Sequence, residues 1–517
     1  MEKTAILWVD DEIDLLKPHM IFLREKGYDV DTTNNGHDAI ELLKKKDFDI
    51  VFLDEQMPGL SGIETLLQIK GGYPNLPVVM ITKSEEETIM EDAIGSNISD
   101  YLIKPVNPNQ ILLSLKKTLE NKKLINEKTT HQYQQQFRSL GMEISNKLNY
   151  EEWTDVYKKL IYWELKLEKS DDEGMNQVLM MQKNEANEVF TKFIERNYLT
   201  WLNGKTQDKP VQSHTLMREK VFPFFNDNRP LFLILIDNLR YDQWKMLQPI
   251  LEEYYRVERD DIYYSILPTT TQYARNSLFA GLLPTEIEKK YPKLWVDEDE
   301  EGTKNNYESE FLGELLHRYG KDIKHSYYKV LNQTYGKKLV ELLPNLMSNK
   351  LNIIVYNFVD MLSHARTEME IIRELADDEK AYRSLTVSWF QHSPLIDIFR
   401  FLAEKDVNVI ITTDHGSIRV NNPVKVLGDK NTNTNLRYKT GKALKYEHNE
   451  VFEIKNPADA FLPRVNVSSN YIFCRNDDFF AYPNNYNYYV NYYRNTFQHG
   501  GISMEEVMIP FIVLKGK

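Results

Sequence analysis

The chain has 517 residues, a formal net charge of −13 and one cysteine, Cys474. At roughly 150 residues per domain, that length predicts about three domains. A single cysteine excludes an intramolecular disulfide framework and any Cys-rich zinc ribbon or finger, and the acidic balance argues against broad nucleic-acid binding. Met-Glu-Lys leads straight into a strand-like run at 6–9, which does not read as a signal peptide. The longest apolar runs, 231–236 and 508–514, are strand-length and far short of the ~20 residues a membrane span needs. The expectation is a soluble, cytoplasmic protein without membrane insertion. Charge is unevenly spread. Residues 1–120 hold 12 of the 64 Lys/Arg and 22 of the 77 Asp/Glu, a net −10, which leaves −3 for the rest and suggests two parts with different work.

In chain order, short apolar strands are predicted at 5–9, 28–32, 50–53, 78–81 and 100–103, with helical patterns such as 15–25 and 39–45 between them. Five such units imply an open parallel sheet with helices on both faces, whose ligands sit at the carboxyl ends of the strands. From 108 to 205 no strand pattern occurs. Trp153, Tyr157, Leu160, Ile161 and Leu165 are spaced as one apolar helix face, so a helical bundle is predicted. Around 203–210 the composition turns polar, with Gly204 and Pro210 marking a connection. Strand-helix alternation resumes at about 229, with strands at 231–236, 353–358, 407–412 and 508–514 and irregular insertions at about 285–310 and 417–470. The Tyr/Asn-rich stretch near 484–499 reads as an ordered surface segment, because the chain then re-enters a strand. The boundaries are drawn at 1–120, 121–205 and 206–517.

The amino-terminal sheet edge collects a chemistry. Asp10 and Asp11 follow the first strand, Asp54 ends the third, Thr82 ends the fourth and Lys104-Pro105 follows the fifth. Carboxylates gathered at one edge suit a hard cation such as Mg²⁺. A carboxylate can also accept a phosphoryl group, with an ammonium steadying the transferred oxygens and a hydroxyl reporting the group once attached. Single aspartates at strand ends are usually turn residues, but five matching positions in strand order are not explained that way.

These residues, with Met57-Pro58-Gly59 and Tyr101, resemble the receiver domain of bacterial response regulators over residues 1–120. The resemblance implies a flavodoxin-like, five-stranded fold with Asp54 as phosphoacceptor and Asp10, Asp11 and Asp54 around Mg²⁺. It also implies Thr82 and Tyr101 as a switch pair, Lys104 contacting the phosphoryl group, and a cis peptide at Lys104-Pro105. A sensor histidine kinase is the implied partner, and homodimerisation on phosphorylation the implied readout.

The carboxy-terminal region shows no helix-turn-helix with a basic reading helix. It carries Asp237 after the strand at 231–236, Pro268-Thr269-Thr270-Thr271, Asp360 with His364 four residues on, Asp414-His415-Gly416, and His499-Gly500-Gly501. A lone Asp-His pair is most often a capped turn and a lone His-Gly-Gly a loop. Here six Asp/His groups fall after strands or in glycine turns, so one edge can gather them. That set suits Zn²⁺ and is too many for one four-coordinate ion, so two ions are expected. Asp360 and His364, at i and i+4, can face one ion from a helical turn. A threonine hydroxyl beside such ions becomes a competent nucleophile. Arg275, four residues beyond Thr271, and Asn276 are candidate contacts to a substrate oxygen, with packing an equal alternative for Arg275. The tyrosines of 482–493 could stack bases if they border the site, or pack on the sheet.

The order Asp…Thr…Asp-x-x-x-His…Asp-His…His-Gly-Gly resembles the alkaline phosphatase superfamily, specifically its PglZ branch, over about 220–517. The resemblance implies a central, mostly parallel sheet flanked by helices. It assigns Asp237, Thr271, Asp414 and His415 to one zinc, and Asp360, His364 and His499 to the other. Thr271 is the implied nucleophile, with Thr270 as fallback, and the implied activity is cleavage of phosphate esters. Receiver, helical middle and PglZ output together resemble a response-regulator family linked in Bacteroidota to a sensor kinase and the type IX secretion system. That implies a phosphodiesterase acting on short linear or cyclic oligonucleotides. The alternative is a receiver-switched zinc-binding module that docks a sigma factor or secretion component without turnover.

Overall fold

The computed structural model describes residues 4–83, 98–170, 172–296, 305–368, 378–428, 432–441, 444–464 and 469–517, without the side chains of 120–127 and 365–368. Parts of the expected insertions at 285–310 and 417–470 lie outside the described residues. Contact density divides the chain into two units, Met1–Gln136 with Lys166–Met175, and Phe137–Leu165 with Asn176–Lys517.

The first unit carries strands β1 (Ala5–Val9), β2 (Asp29–Thr33), β3 (Ile50–Asp54), β4 (Val78–Thr82) and β5 (Asp100–Ile103). They form one parallel sheet in the order β2-β1-β3-β4-β5. β3 and β4 are buried along their whole length, as continuous apolar runs covered on both faces should be. β2 sits at an edge, and its mixed sequence Asp-Val-Asp-Thr-Thr buries only Val30. The helix Gly62–Gly72 starts on a capping box. The Ser61 hydroxyl accepts from Glu64 N at 3.2 Å, and the Glu64 carboxylate accepts from Ser61 N at 2.9 Å. The Lys104-Pro105 bond is cis.

The helical segment comprises Pro108–Ser145, Tyr150–Glu168 and Glu173–Leu202. Within the second unit, Trp153, Tyr157, Leu160 and Ile161 are buried, as their spacing predicts. Trp153 stands edge-on to Phe190, with ring centres 5.4 Å apart. Asn187 ties this segment to the end of the chain: Met504 N donates to its Oδ1 at 2.7 Å and its Nδ2 donates to Glu505 at 3.0 Å.

The second unit is built on a six-stranded sheet: β6 (Leu231–Ile236), β7 (Tyr255–Tyr264), β8 (His325–Val330), β9 (Leu351–Tyr356), β10 (Asn408–Thr412) and β11 (Met508–Gly516). The order is β7-β11-β10-β6-β9-β8. β10, β6, β9 and β8 run parallel, while at one side β11 pairs antiparallel with β10 and β7 antiparallel with β11. β6, β9 and β10 are wholly buried and fix the centre. The expected strand at 353–358 lies two residues earlier, because Phe358 already starts a helix, Phe358–Glu368. The edge strand β8, His-Ser-Tyr-Tyr-Lys-Val, is largely half-exposed and has no apolar run to announce it. The Tyr-rich stretch contains a helix, Tyr486–Tyr493. Among the described residues no helix is long and apolar enough to cross a membrane.

Candidate functional site

In the first unit, the parallel register brings the carboxyl ends of β1, β3, β4 and β5 to one edge. Asp10 and Asp54 are buried, Asp11 is exposed, and ligand atoms of the three lie within 4.8 Å of one another. Lys104 Nζ stands 2.9 Å from both Asp10 Oδ2 and Asp54 Oδ1. Burial pushes the Asp54 carboxyl up to about 6, with Asp10 adding and Lys104 opposing. Desolvation works against the Lys104 ammonium, but its bonds to Asp54 and Asp10 prevail and raise its pKa. Thr82 is fully buried at the end of β4, and Tyr101 is half-buried in β5. Three convergent carboxylates, two of them buried, fit a hard divalent cation.

In the second unit, each candidate sits where a strand meets its loop. Asp237 directly follows β6. Asp414-His415 come two residues after β10, and Asp360 lies on the helix that follows β9. His499 follows a short strand, Phe497–Gln498, in a turn where Gly500 has φ +121°. A side chain on Gly501 would meet the Cys474 carbonyl at 2.8 Å. Both glycines are therefore required there. Asn238, at φ 63°, turns the chain after Asp237 and donates to Asp360 at 3.4 Å and to Ser363 at 3.3 Å.

The described residues bring together two ligand sets, Asp237–Asp414–His415 and Asp360–His415–His499, each with atoms within 4.8 Å of one another. His415 Nε2 lies 3.8 Å from Asp237 Oδ1 and 3.7 Å from Asp414 Oδ2. His499 Nε2 and His364 Nε2 each lie 3.5 Å from Asp360. His364 is the outermost of these groups, with its side chain 58% exposed. The His415 and His499 rings stack with centres 4.2 Å apart.

The backbone sets the imidazole tautomers. His499 Nδ1 is 3.2 Å from the Thr269 carbonyl, and His415 Nδ1 is 3.2 Å from the Gly416 carbonyl. A carbonyl only accepts, so each Nδ1 carries a proton and each Nε2 is turned toward the carboxylates. Burial, reinforced by His415 and His364, holds His499 well below the usual histidine value, so it is neutral. Burial pushes Asp237 up to about 6 against the pull of Arg275, and raises Asp360 as well. Asp237 Oδ1 and Asp414 Oδ2 are buried without a hydrogen-bond partner. Imidazole nitrogens and unbonded carboxylate oxygens facing one another fit Zn²⁺. Thr271 Oγ1 lies 3.1 Å from His415 Nε2, whereas Thr270 Oγ1 has no partner.

Arg275 and Asn276, the expected candidates for substrate contact, are both buried. Arg275 is fully buried, with Nη1 on Asp237 Oδ2 at 2.9 Å and Nε on Glu308 at 2.6 Å. Asn276 is 1% exposed. The wide helical turn Thr271–Arg275 carries the guanidinium inward, where Arg275 anchors the Asp237 carboxylate. Glu308, Asn238 and Thr269 are functional neighbours that sequence reasoning missed. Only Asn238 left a local signal, asparagine being tolerant of left-handed backbone.

An open cavity of about 590 Å³ lies over the cluster, lined by Thr271, Asp360, His364 and His499 and walled by Tyr438, Tyr492 and Tyr493.

Family models match this chain in three places. A response regulator receiver domain matches residues 6–116, a PorX response regulator linker domain 123–202, and the BREX system PglZ alkaline phosphatase-like domain 216–514. Among curated proteins, the transcriptional regulatory protein ZraR of Klebsiella oxytoca is 36% identical over 140 residues, 27% of this chain and 32% of its own. ResD of Bacillus subtilis is 32% identical over 117 residues, 23% of this chain and 48% of its own. The chain thus spans about a third to a half of the length of these relatives. Among solved structures, a CheY-like receiver domain protein of Methanospirillum hungatei is 23% identical, covering 23% of this chain and 96% of that one, with TM-score 0.23. Chemotaxis protein CheY4 of Vibrio cholerae is 27% identical over 23% of this chain and all of its own, with TM-score 0.22. Receiver, PorX-type linker and PglZ domain in this order are a PorX-like architecture. With its match running through more than half of the sequence, the chain belongs to the PglZ alkaline phosphatase-like family and carries a two-component receiver ahead of that domain.

Proposed function

We propose that this protein is a response regulator whose phosphorylation on Asp54 controls a zinc-dependent phosphodiesterase. Thr271 supports the reading most directly: its hydroxyl stands 3.1 Å from His415 Nε2, inside an Asp/His cluster whose lone pairs converge. A purely structural zinc site needs no hydroxyl there.

Thr271 Oγ attacks phosphorus and loses its proton to solvent. The new Oγ–P bond forms as the bond to the leaving alcohol breaks, and that oxygen takes up a proton. Water then attacks the phosphothreonine, releases the phosphate product and restores the hydroxyl. Asp237, Asp414 and His415, with Thr271, would hold one zinc, and Asp360, His364 and His499 the other. These ions would supply Lewis acidity that acidifies the hydroxyl and neutralises the leaving oxygen. Arg275 fixes Asp237 by one oxygen and leaves the other to face His415. In the receiver, Asp10, Asp11 and Asp54 would hold Mg²⁺, which offsets the charge of the incoming phosphoryl group. Lys104 then moves from Asp54 onto that group, while Thr82 and Tyr101 follow it inward and favour a homodimer.

The natural substrate in this reading is a short linear or cyclic oligonucleotide, cleaved in the cytoplasm under a sensor histidine kinase. The link to type IX secretion rests on the PorX-like architecture. The deciding experiment measures zinc per chain and hydrolysis of bis-p-nitrophenyl phosphate, p-nitrophenyl phosphate and short oligonucleotides, with and without phosphorylation. Two zinc ions with diesterase turnover are expected. Two zinc ions with no hydrolysis of any of them would instead establish a zinc-held module that docks a sigma factor or secretion component.

A further inference from the structure

Beside the metal-site cavity lies a second one, of about 450 Å³, lined by Leu427, Leu436, Phe480, Tyr482, Tyr489 and Tyr493. The two cavities are continuous in their walls, since Thr434, Leu436 and Tyr493 line both. The first cavity is polar and holds the Asp/His cluster, whereas the second is apolar and aromatic. Such a volume, walled by rings with few polar groups, is typical of a site for an organic ligand.

The helix Tyr486–Tyr493 builds the shared wall. Val490 is buried, and Tyr486 and Tyr493 pack with it against Ile418, Val420 and Phe479. That anchors one side of the helix and leaves its other rings on display. Tyr489 is 37% exposed, although its ring lies within 11° of parallel to Tyr493, with centres 6.2 Å apart. Tyr488 and Tyr492 repeat the arrangement one residue back, at 14° and 6.1 Å. On the far side, Lys439 Nζ sits 4.9 Å from the centre of the Tyr482 ring, placing a cation behind the aromatic wall. Core packing accounts for Tyr486 and Tyr493. It does not account for the half-open Tyr489, or for a cavity that adjoins a candidate phosphoryl-transfer centre.

Resting on the phosphodiesterase reading above, we infer that this second cavity is a subsite for the retained arm of the diester, and that the arm carries a flat conjugated ring. With phosphorus at Thr271, an arm passing over Tyr493 enters the cavity between Tyr489, Tyr493 and Tyr482. A phosphodiester with a flat ring on its arm is a nucleotide, and base-aromatic stacking accepts every base. The subsite therefore selects nucleotide diesters over simple alkyl ones without selecting sequence, and Tyr489 is a specificity residue.

The test uses the full-length zinc-loaded chain and two substrates with the same leaving group, the p-nitrophenyl esters of thymidine 5′-phosphate and of methyl phosphate. The ratio of kcat/KM should favour the nucleoside ester. Tyr489→Ala should lower that ratio about 5- to 150-fold, the range that loss of one stacking contact gives, and Tyr489→Phe should preserve it. An unchanged ratio in Tyr489→Ala overturns the subsite. A binding arm separates this from the hydrolase reading. In a Thr271→Ala background, calorimetry compares a thymidine dinucleotide with dimethyl phosphate, with and without Tyr489→Ala. If the wild-type residues hydrolyse neither ester but the dinucleotide binds more tightly in a Tyr489-dependent way, the hydrolase reading falls and the subsite stands. Hydrolysis of both esters with no dependence on Tyr489 gives the reverse.

Discussion

The two candidate sites solve one electrostatic problem in opposite ways. Both gather carboxylates at the carboxyl ends of parallel strands. In the receiver, the balancing charge is an ammonium on a flexible stem: Lys104 reaches Asp10 and Asp54 at 2.9 Å each, while Asp11 beside them is exposed. In the PglZ domain it is a rigid fork, Arg275, fully buried and bonded to both Asp237 and Glu308. The ammonium shields the carboxylates from the open side and can be drawn off by an arriving phosphoryl group. The guanidinium holds Asp237 Oδ2 and leaves Asp237 Oδ1, Asp414 Oδ2 and the His415 Nε2 atom turned toward one another. The first arrangement suits a charge that comes and goes; the second suits cations held in place.

The largest expected effect separates chemistry from switching. Thr271→Ala should lower kcat by on the order of 10³-fold or more, with circular dichroism and thermal midpoint unchanged, because it removes the proposed nucleophile. Turnover within tenfold of wild type would sink the assignment and move the question to Thr270. Next is the contrast between the two cations. Arg275→Met leaves Asp237 buried without its cation, and Glu308 with Lys329 alone, and should cost about 3–5 kcal/mol in denaturant unfolding of the metal-free protein. Lys104→Met, measured with Mg²⁺, should cost about 1 kcal/mol or less, because a divalent ion at the three aspartates replaces the lost charge. Equal costs would erase the distinction between a mobile and a fixed counter-charge.

Which parts of this were legible beforehand follows from how local each signal is. Wholly apolar runs such as Leu231–Ile236 announce central parallel strands, and an aspartate directly after one must lie at the sheet edge. That logic places Asp10, Asp54, Asp237 and Asp414 from a few residues each. It fails where the partner is distant. Arg275, one helical turn beyond Thr271, reads equally as a substrate contact or a packing residue, and its orientation is set by Asp237 and by Glu308, 33 positions on and beyond an irregular insertion. The edge strand β8 was missed because half-exposed residues carry no apolar alternation. The tyrosine helix was legible as ordered but not as a wall, since only the fold shows that Tyr493 borders two cavities.

The smallest effect probes how far the PglZ cluster is set before any metal arrives. Thr269 contributes three bonds at once. Its hydroxyl donates to the Gly501 carbonyl at 2.9 Å and accepts from Gly500 N at 3.0 Å, while its own carbonyl takes His499 Nδ1–H at 3.2 Å. Thr269→Val keeps the shape and the carbonyl but frees the glycine turn, so His499 should lose its fixed angle toward Asp360. Loss of an outer hydrogen-bond partner costs a metal site about 10–100-fold in affinity; with the carbonyl retained, about tenfold is expected. Competition with a chelator should show that loss at one of the two proposed zinc sites, the site served by Asp237 and Asp414 being unaffected, and Thr269→Ser should restore it. Equal weakening of both sites would mean that the turn supports the whole cluster instead of aiming one ring. No change at either would mean that the metal, and not Thr269, orients His499, which would bring the PglZ site closer in kind to the receiver than their two cations suggest.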